Sequence, residues 1–182
     1  MLEKQVPIIV MRSALFLVLI GIPALSQRQQ QPNIAAQREA MTKLDFLVGK
    51  WSGDAQVRRG PGESIKLLQT EEVQFKLDGL VLLIEGTGRT ADGQIAFQAL
   101  ATISYDDGSG TYRFRAYNGG RYLDTELTVV PRGFTWGYTS GPVKIANTMR
   151  LNEKGDWIET TETTFSSSPP SPSVMMTLHR QH

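Results

Sequence analysis

From residue 51 to residue 180, apolar and polar positions alternate in short runs, broken about every 8–12 residues by Gly- and Asp-rich turns. A period of two with this turn spacing predicts strands at 51–58, 65–77, 80–89, 95–105, 111–117, 121–130, 133–139, 143–151, 157–165 and 174–180. Ahead of them, 35–43 has helix-forming composition and predicts one short helix. Strands joined hairpin after hairpin build one antiparallel sheet, and closing that sheet removes both of its exposed edges. The pattern therefore predicts an all-β, ten-stranded antiparallel up-and-down barrel with a short N-terminal helix. The Ser/Pro run at 166–173 is expected to be a loop, since proline cannot donate to a ladder.

Three turns convert the strands into inward and outward faces. Asp78-Gly79 reads as a two-residue type I′ turn. It places Leu77 opposite Leu80, Phe75 opposite Leu82, Val73 opposite Ile84, Glu71 opposite Gly86 and Gln69 opposite Gly88. The apolar members put this face inside, so Glu71 and Gln69 also point inward, each across from a glycine. Gly119-Gly120 sets Arg115 opposite Asp124 and Arg113 opposite Glu126, with Tyr112 and Phe114 on the inner face. The two arginines thus belong to a solvated charge ladder and not to an interior clamp. At Ser140-Gly141-Pro142, Phe134, Trp136 and Tyr138 meet Val143, Ile145, Asn147 and Met149, which makes Asn147 the polar member of an apolar set.

The inner face then mixes large aromatics with Gly53, Ala55, Gly86, Gly88, Ala99, Ala101 and Ala116. Such a mixture either fills a small barrel or lines a cavity. The cavity is the reading adopted. Its polar residues are Glu71, Gln69 and Asn147, and its apolar wall is Trp51, Phe75, Tyr112, Phe114, Trp136 and Tyr138. The expected partner is a small apolar or amphipathic molecule. A buried carboxylate is costly unless it is paired or protonated, so Glu71 has to meet a ligand donor or a core partner.

The N-terminal segment changes the setting. Lys4 and Arg12 precede an apolar run at 13–22, Pro23 breaks it, and Ala24-Leu25-Ser26 supplies small residues for cleavage after Ser26. Residues 1–26 are expected to be a signal peptide, with Met1 or Met11 as the start, 27–40 a polar linker running into the helix, and 41–182 the barrel domain. The apolar run is well short of the ~20 residues needed to span a bilayer. A periplasmic or secreted protein without a stable membrane anchor is expected. The chain has no cysteine, hence no disulfide and no lipid-modified thiol. Its charge is almost balanced, 19 Lys+Arg against 18 Asp+Glu with no basic block, so no nucleic-acid partner is expected.

Catalytic chemistry finds little to stand on. With no cysteine and only His179 and His182, neither a nucleophilic triad nor a His/Cys metal site can be assembled, and no cofactor is expected. Glu71 could serve as a general base, but no second catalytic group accompanies it, and the protein is read as a non-enzyme. Asp106-Asp107-Gly108-Ser109-Gly110 resembles a calcium loop superficially, lacks the later bidentate Glu, and is read as a hairpin turn.

Leu44-Asp45-Phe46-Leu47-Val48-Gly49-Lys50-Trp51-Ser52-Gly53 resembles the opening of the calycin barrels, where a Gly-x-Trp closes one end beneath a short helix. Residues 68–89 and 111–117 are similar to a bacterial family of lipocalin-like barrel proteins of unknown function. That likeness covers most of 41–180 and implies the fold only; the family's usual connection before the last strand is replaced by the Ser/Pro run. Gly49-Lys50-Trp51-Ser52-Gly53 is also similar to the Gly-x-Trp-x-Gly element of the nitrobindins, ten-stranded barrels that hold haem through a His close to the C-terminus. Here the motif's third glycine is Ala55, and alternation through Val174, Met176 and Leu178 leaves His179 facing outward.

Overall fold

The computed structural model describes residues 31–182 apart from 61 and 167, so the expected signal peptide at 1–26 lies outside the described residues. The helix α1 spans Ile34–Thr42; Asn33 caps it by accepting the Ala36 N–H at 3.1 Å. A short 3-10 turn at Asp45–Leu47 then delivers the chain to the first strand. Ten strands follow: β1 Gly49–Gly60, β2 Glu63–Lys76, β3 Val81–Arg89, β4 Ile95–Asp106, β5 Thr111–Asn118, β6 Arg121–Val130, β7 Gly133–Ser140, β8 Val143–Leu151, β9 Trp157–Phe165 and β10 Ser171–Gln181. Each pairs antiparallel with its neighbour in sequence, and β10 pairs with β1 to close the barrel. No described helix is long and apolar enough to cross a membrane.

Closure depends on a close approach at Gly53. A Cβ there would sit 2.2 Å from the backbone carbonyl oxygen of Thr177, so any side chain would push β1 away from β10. The registers follow the turns: Phe75 lies opposite Leu82 and Glu71 opposite Gly86, Arg115 opposite Asp124, and Trp136 opposite Asn147.

Two local expectations need correction. The β2–β3 connection is not a two-residue turn. Leu77, Asp78 and Gly79 all take positive φ (50°, 54° and 89°), and the Leu80 N–H bonds back to the Leu77 carbonyl. This longer loop keeps the register but turns Leu77 out to 71 % exposure, removing it from the inner face. Arg38 on α1 braces it by donating from Nε to the Asp78 carbonyl at 2.9 Å. The second correction is at the Ser/Pro run, where β10 begins at Ser171 and includes Pro172 opposite Glu162. A bulge between Pro172 and Val174 absorbs the break in hydrogen bonding that proline causes.

Opposite ends of the barrel differ. One end is covered by α1 and the 3-10 turn. There Met41, Leu44 and Leu47 are buried, the Tyr112 hydroxyl donates to the Ala40 carbonyl at 2.7 Å, and Trp51 Nε1 donates to the Leu47 carbonyl at 2.8 Å. Asp107 secures the helix from the β4–β5 turn by accepting from the Asn33 N–H and the Gln37 amide. Beneath this cap lies a layer of buried inward residues: Trp51, Leu82, Ile103, Leu127, Phe134, Met149, Trp157 and Leu178. Burying these side chains at about 25 cal/mol per Å² of apolar surface supplies the main stabilisation of a domain that has no cysteine.

Candidate functional site

Two residues further along each strand from the buried layer, toward the uncovered end, the inner face changes character. Leu127 gives way to Thr125, Phe134 to Trp136, Met149 to Asn147, and Trp157 to Glu159; Glu71 takes the same step beyond Val73 on β2. These polar residues form a floor directly above the apolar layer. Beyond them Ala99, Ala116, Leu123, Ile145, Thr161 and Val174 are half-buried, so solvent reaches the upper half of the bore but not the capped half.

Glu71 is 8 % exposed, and its Oε1 accepts from Gln69 Nε2 at 2.8 Å. Its carboxylate lies flat over Gly86, where a Cβ would come within 2.7 Å of both oxygens; Gln69 Oε1 lies over Gly88 in the same way. The space left by the missing side chains is thus taken up by the polar pair itself, and is not an empty recess. Burial pushes the Glu71 carboxyl up to about 8; the Gln69 amide opposes the rise and the nearby Glu159 charge adds to it. At neutral pH Glu71 is therefore mostly protonated.

Glu159 was not among the residues drawn from the sequence. It sits inside because β9 alternates from the buried Trp157 through Glu159 and Thr161, opposite Met149 and Asn147. The signal was available: Trp157 is a strong inward anchor, and the position two residues on must share its face. Glu159 accepts from Asn147 Nδ2 at 2.7 Å and from Trp157 Nε1 at 2.8 Å. Burial raises its pKa against the lowering effect of these two bonds.

Asn147 links the cluster. It is 1 % exposed and also donates to Thr161 Oγ1 at 2.9 Å. Two donations, to Glu159 and Thr161, hold the amide in this orientation. Held this way, Asn147 Oδ1 has no hydrogen-bond partner among the described residues. A buried unpaired acceptor costs about 1–3 kcal/mol, so its presence calls for an explanation.

The expected apolar wall divides into two groups. Trp51 and Tyr112 belong to the capped-end core, tied to α1 and the 3-10 turn, with Phe75 packed beside them. Trp51 is further packed edge-on against Trp157 at 5.6 Å, with Arg180 over its face at 4.1 Å. Phe114, Trp136 and Tyr138 instead form a ladder of near-parallel rings, with centroids 5.1 and 6.4 Å apart, from the polar floor to the mouth, where Tyr138 is 40 % exposed. Floor and ladder thus share one inner face, with a polar base, an apolar flank and, at Tyr138, exposure to solvent.

Elsewhere the side chains fall to structural roles. Arg113 and Arg115 face outward and pair with Asp124, and Arg113 also approaches Glu126 at 3.6 Å. His179 faces outward on β10 and bonds Asp156 at 2.8 Å. Asp106 accepts the Gly108 and Ser109 N–H groups of its own turn. No cluster of three or more potential metal ligands occurs among the described residues.

No protein-family model and no curated protein matches the chain. A solved structure described as that of Rv2717c from M. tuberculosis is similar to it, with a TM-score of 0.60 at 13 % identity over 79 % of this chain and 98 % of that one. At that identity the likeness establishes a shared fold: this chain is a closed ten-stranded antiparallel barrel with a short helix on its N-terminal side.

Proposed function

We propose that this is a lipocalin-like binding protein, exported and non-enzymatic, that takes a small amphipathic molecule into the open half of its barrel. The observation that carries the reading is Asn147 Oδ1, an acceptor without a partner among the described residues, in an otherwise hydrogen-bonded cluster at the base of the barrel's uncovered half. The ring ladder supports it by offering an apolar flank between that base and the mouth. Small-ligand sites share this make-up, an apolar lining with a few convergent polar groups. The order of charge, apolar run and small residues at 1–26 supports export.

Titration with fatty acids, terpenoids and aromatic probes, followed by tryptophan emission, tests the reading. Trp136 is the half-buried reporter within the bore, whereas Trp51 and Trp157 are buried beneath the cap. A saturable change that disappears in Trp136→Phe is expected. No response to any probe would favour a filled barrel acting through its outer surface.

A further inference from the structure

We propose that the polar floor of the barrel selects ligands with a primary ammonium head, seated between Glu71, Glu159 and Asn147, and an apolar tail along the ring ladder. The inference rests on the reading that the bore takes a ligand, and it specifies the ligand's chemistry.

Donors and acceptors on the floor do not balance. The floor's N–H donors are engaged with protein acceptors: Gln69 Nε2 with Glu71, Asn147 Nδ2 with Glu159 and Thr161, and Trp157 Nε1 with Glu159. Once Glu71 gives up its proton, what remains on offer is acceptor capacity: the second Glu71 oxygen, the spare lone pairs of Glu159, and the unpartnered Asn147 Oδ1. An ammonium carries three N–H donors and no acceptor, the complement of that set.

Charge points the same way. Neither Glu71 nor Glu159 has an ion-pair partner among the described residues. Glu71 is flanked by Trp51 and Gly53 on β1 and by Gly86 on β3, none of them titratable, and the charge that acts on it across the bore is Glu159. A cation placed there draws the proton from Glu71 and gives both acids an ion-pair partner they otherwise lack. A carboxylate head would face two acids and an unpaired carbonyl oxygen, and a hydroxyl head would satisfy Asn147 without giving either acid an ion-pair partner. The ladder of Phe114, Trp136 and Tyr138 begins at this floor, so an ammonium seated here directs its tail toward the mouth.

The test compares n-octylamine, n-octanol and octanoate on the full chain at pH 7, by Trp136 emission and by calorimetry in two buffers of different ionisation enthalpy. The amine is expected to bind at least about tenfold more tightly than either analogue. Its binding should release close to one proton, because Glu71 gives up the proton it holds at neutral pH when it pairs with the ammonium. Glu71→Gln should abolish the proton release, and Glu159→Gln should reduce the amine's advantage, so either variant serves if the other fails to fold. Octanol or octanoate binding as tightly as the amine would overturn the ammonium assignment while leaving the ligand site standing. No response to these or to neutral apolar probes would overturn the ligand site and the assignment together.

Discussion

Replacing Glu71 with Gln should change how the protein's stability depends on pH. Burial raises this carboxyl from an ordinary 4.5 to about 8, so between those values the folded state holds a proton that the unfolded chain has lost. For a group whose pKa is raised by folding, its stabilising contribution is complete below the unfolded value and is lost as pH climbs to the folded one. At about 1.4 kcal/mol per pH unit, the interval integrates to about 5 kcal/mol as a ceiling. Glu71→Gln keeps the shape, and its amide oxygen can still accept from Gln69, but it removes the ionisation. Glu159 is present in both proteins, so the difference between them reports Glu71 together with its coupling to Glu159. The assay is urea denaturation of both proteins from pH 4.5 to 8.5. The gap should shift in favour of the variant as pH rises, by several kcal/mol across the window. Parallel pH profiles would refute the reasoning and show that Glu71 ionises normally in the folded protein.

Other outcomes follow from the same geometry. Gly53→Ala should destabilise more than Gly86→Ala, because the first meets a backbone carbonyl and the second the movable end of Glu71. Overpacking typically costs about 1–3 kcal/mol, and Gly53→Ala should reach or exceed the top of that range in denaturant melts. Trp51→Ala should cost about 3–5 kcal/mol, since the ring is fully packed and its N–H is bonded beneath the cap. Arg115→Ala should leave ligand uptake intact and move the unfolding midpoint only slightly, as its partner Asp124 keeps Arg113. Loss of uptake at unchanged stability would place that arginine in the site. Added haem should give no Soret band that depends on His179, because that ring faces outward and bonds Asp156.

The barrel was legible because its turns are explicit. Gly119-Gly120 and Ser140-Gly141-Pro142 each fix a register, and alternation carries it along both strands. The Asp78-Gly79 signal gave the right pairing through the wrong loop, since a longer loop can return the chain in the same register. The polar floor was half legible. Glu71, Gln69 and Asn147 follow from turn-anchored strands, whereas Glu159 follows only from taking Trp157, just past the short turn at 152–156, as the inward residue and alternating from it. The division of the aromatic wall could not be read from alternation, which tells inside from outside but not depth along the bore. Depth is set by strand tilt and by the cap, and these place Trp51 and Tyr112 below the floor and Tyr138 at the mouth. The hold of Asp107 on Asn33 and Gln37 was equally invisible, being a contact between segments far apart in sequence.

Native mass spectrometry of the protein purified from its own host asks most directly whether the bore is a binding site. The wild-type chain should carry a small-molecule adduct. Ala116→Trp, which fills the half-buried inner face of β5 between Ala101 and Leu123, should fold and carry none. Bare wild-type protein that also fails to load when incubated with amphipathic amines, fatty acids, terpenoids or aromatic probes would contradict the binding function.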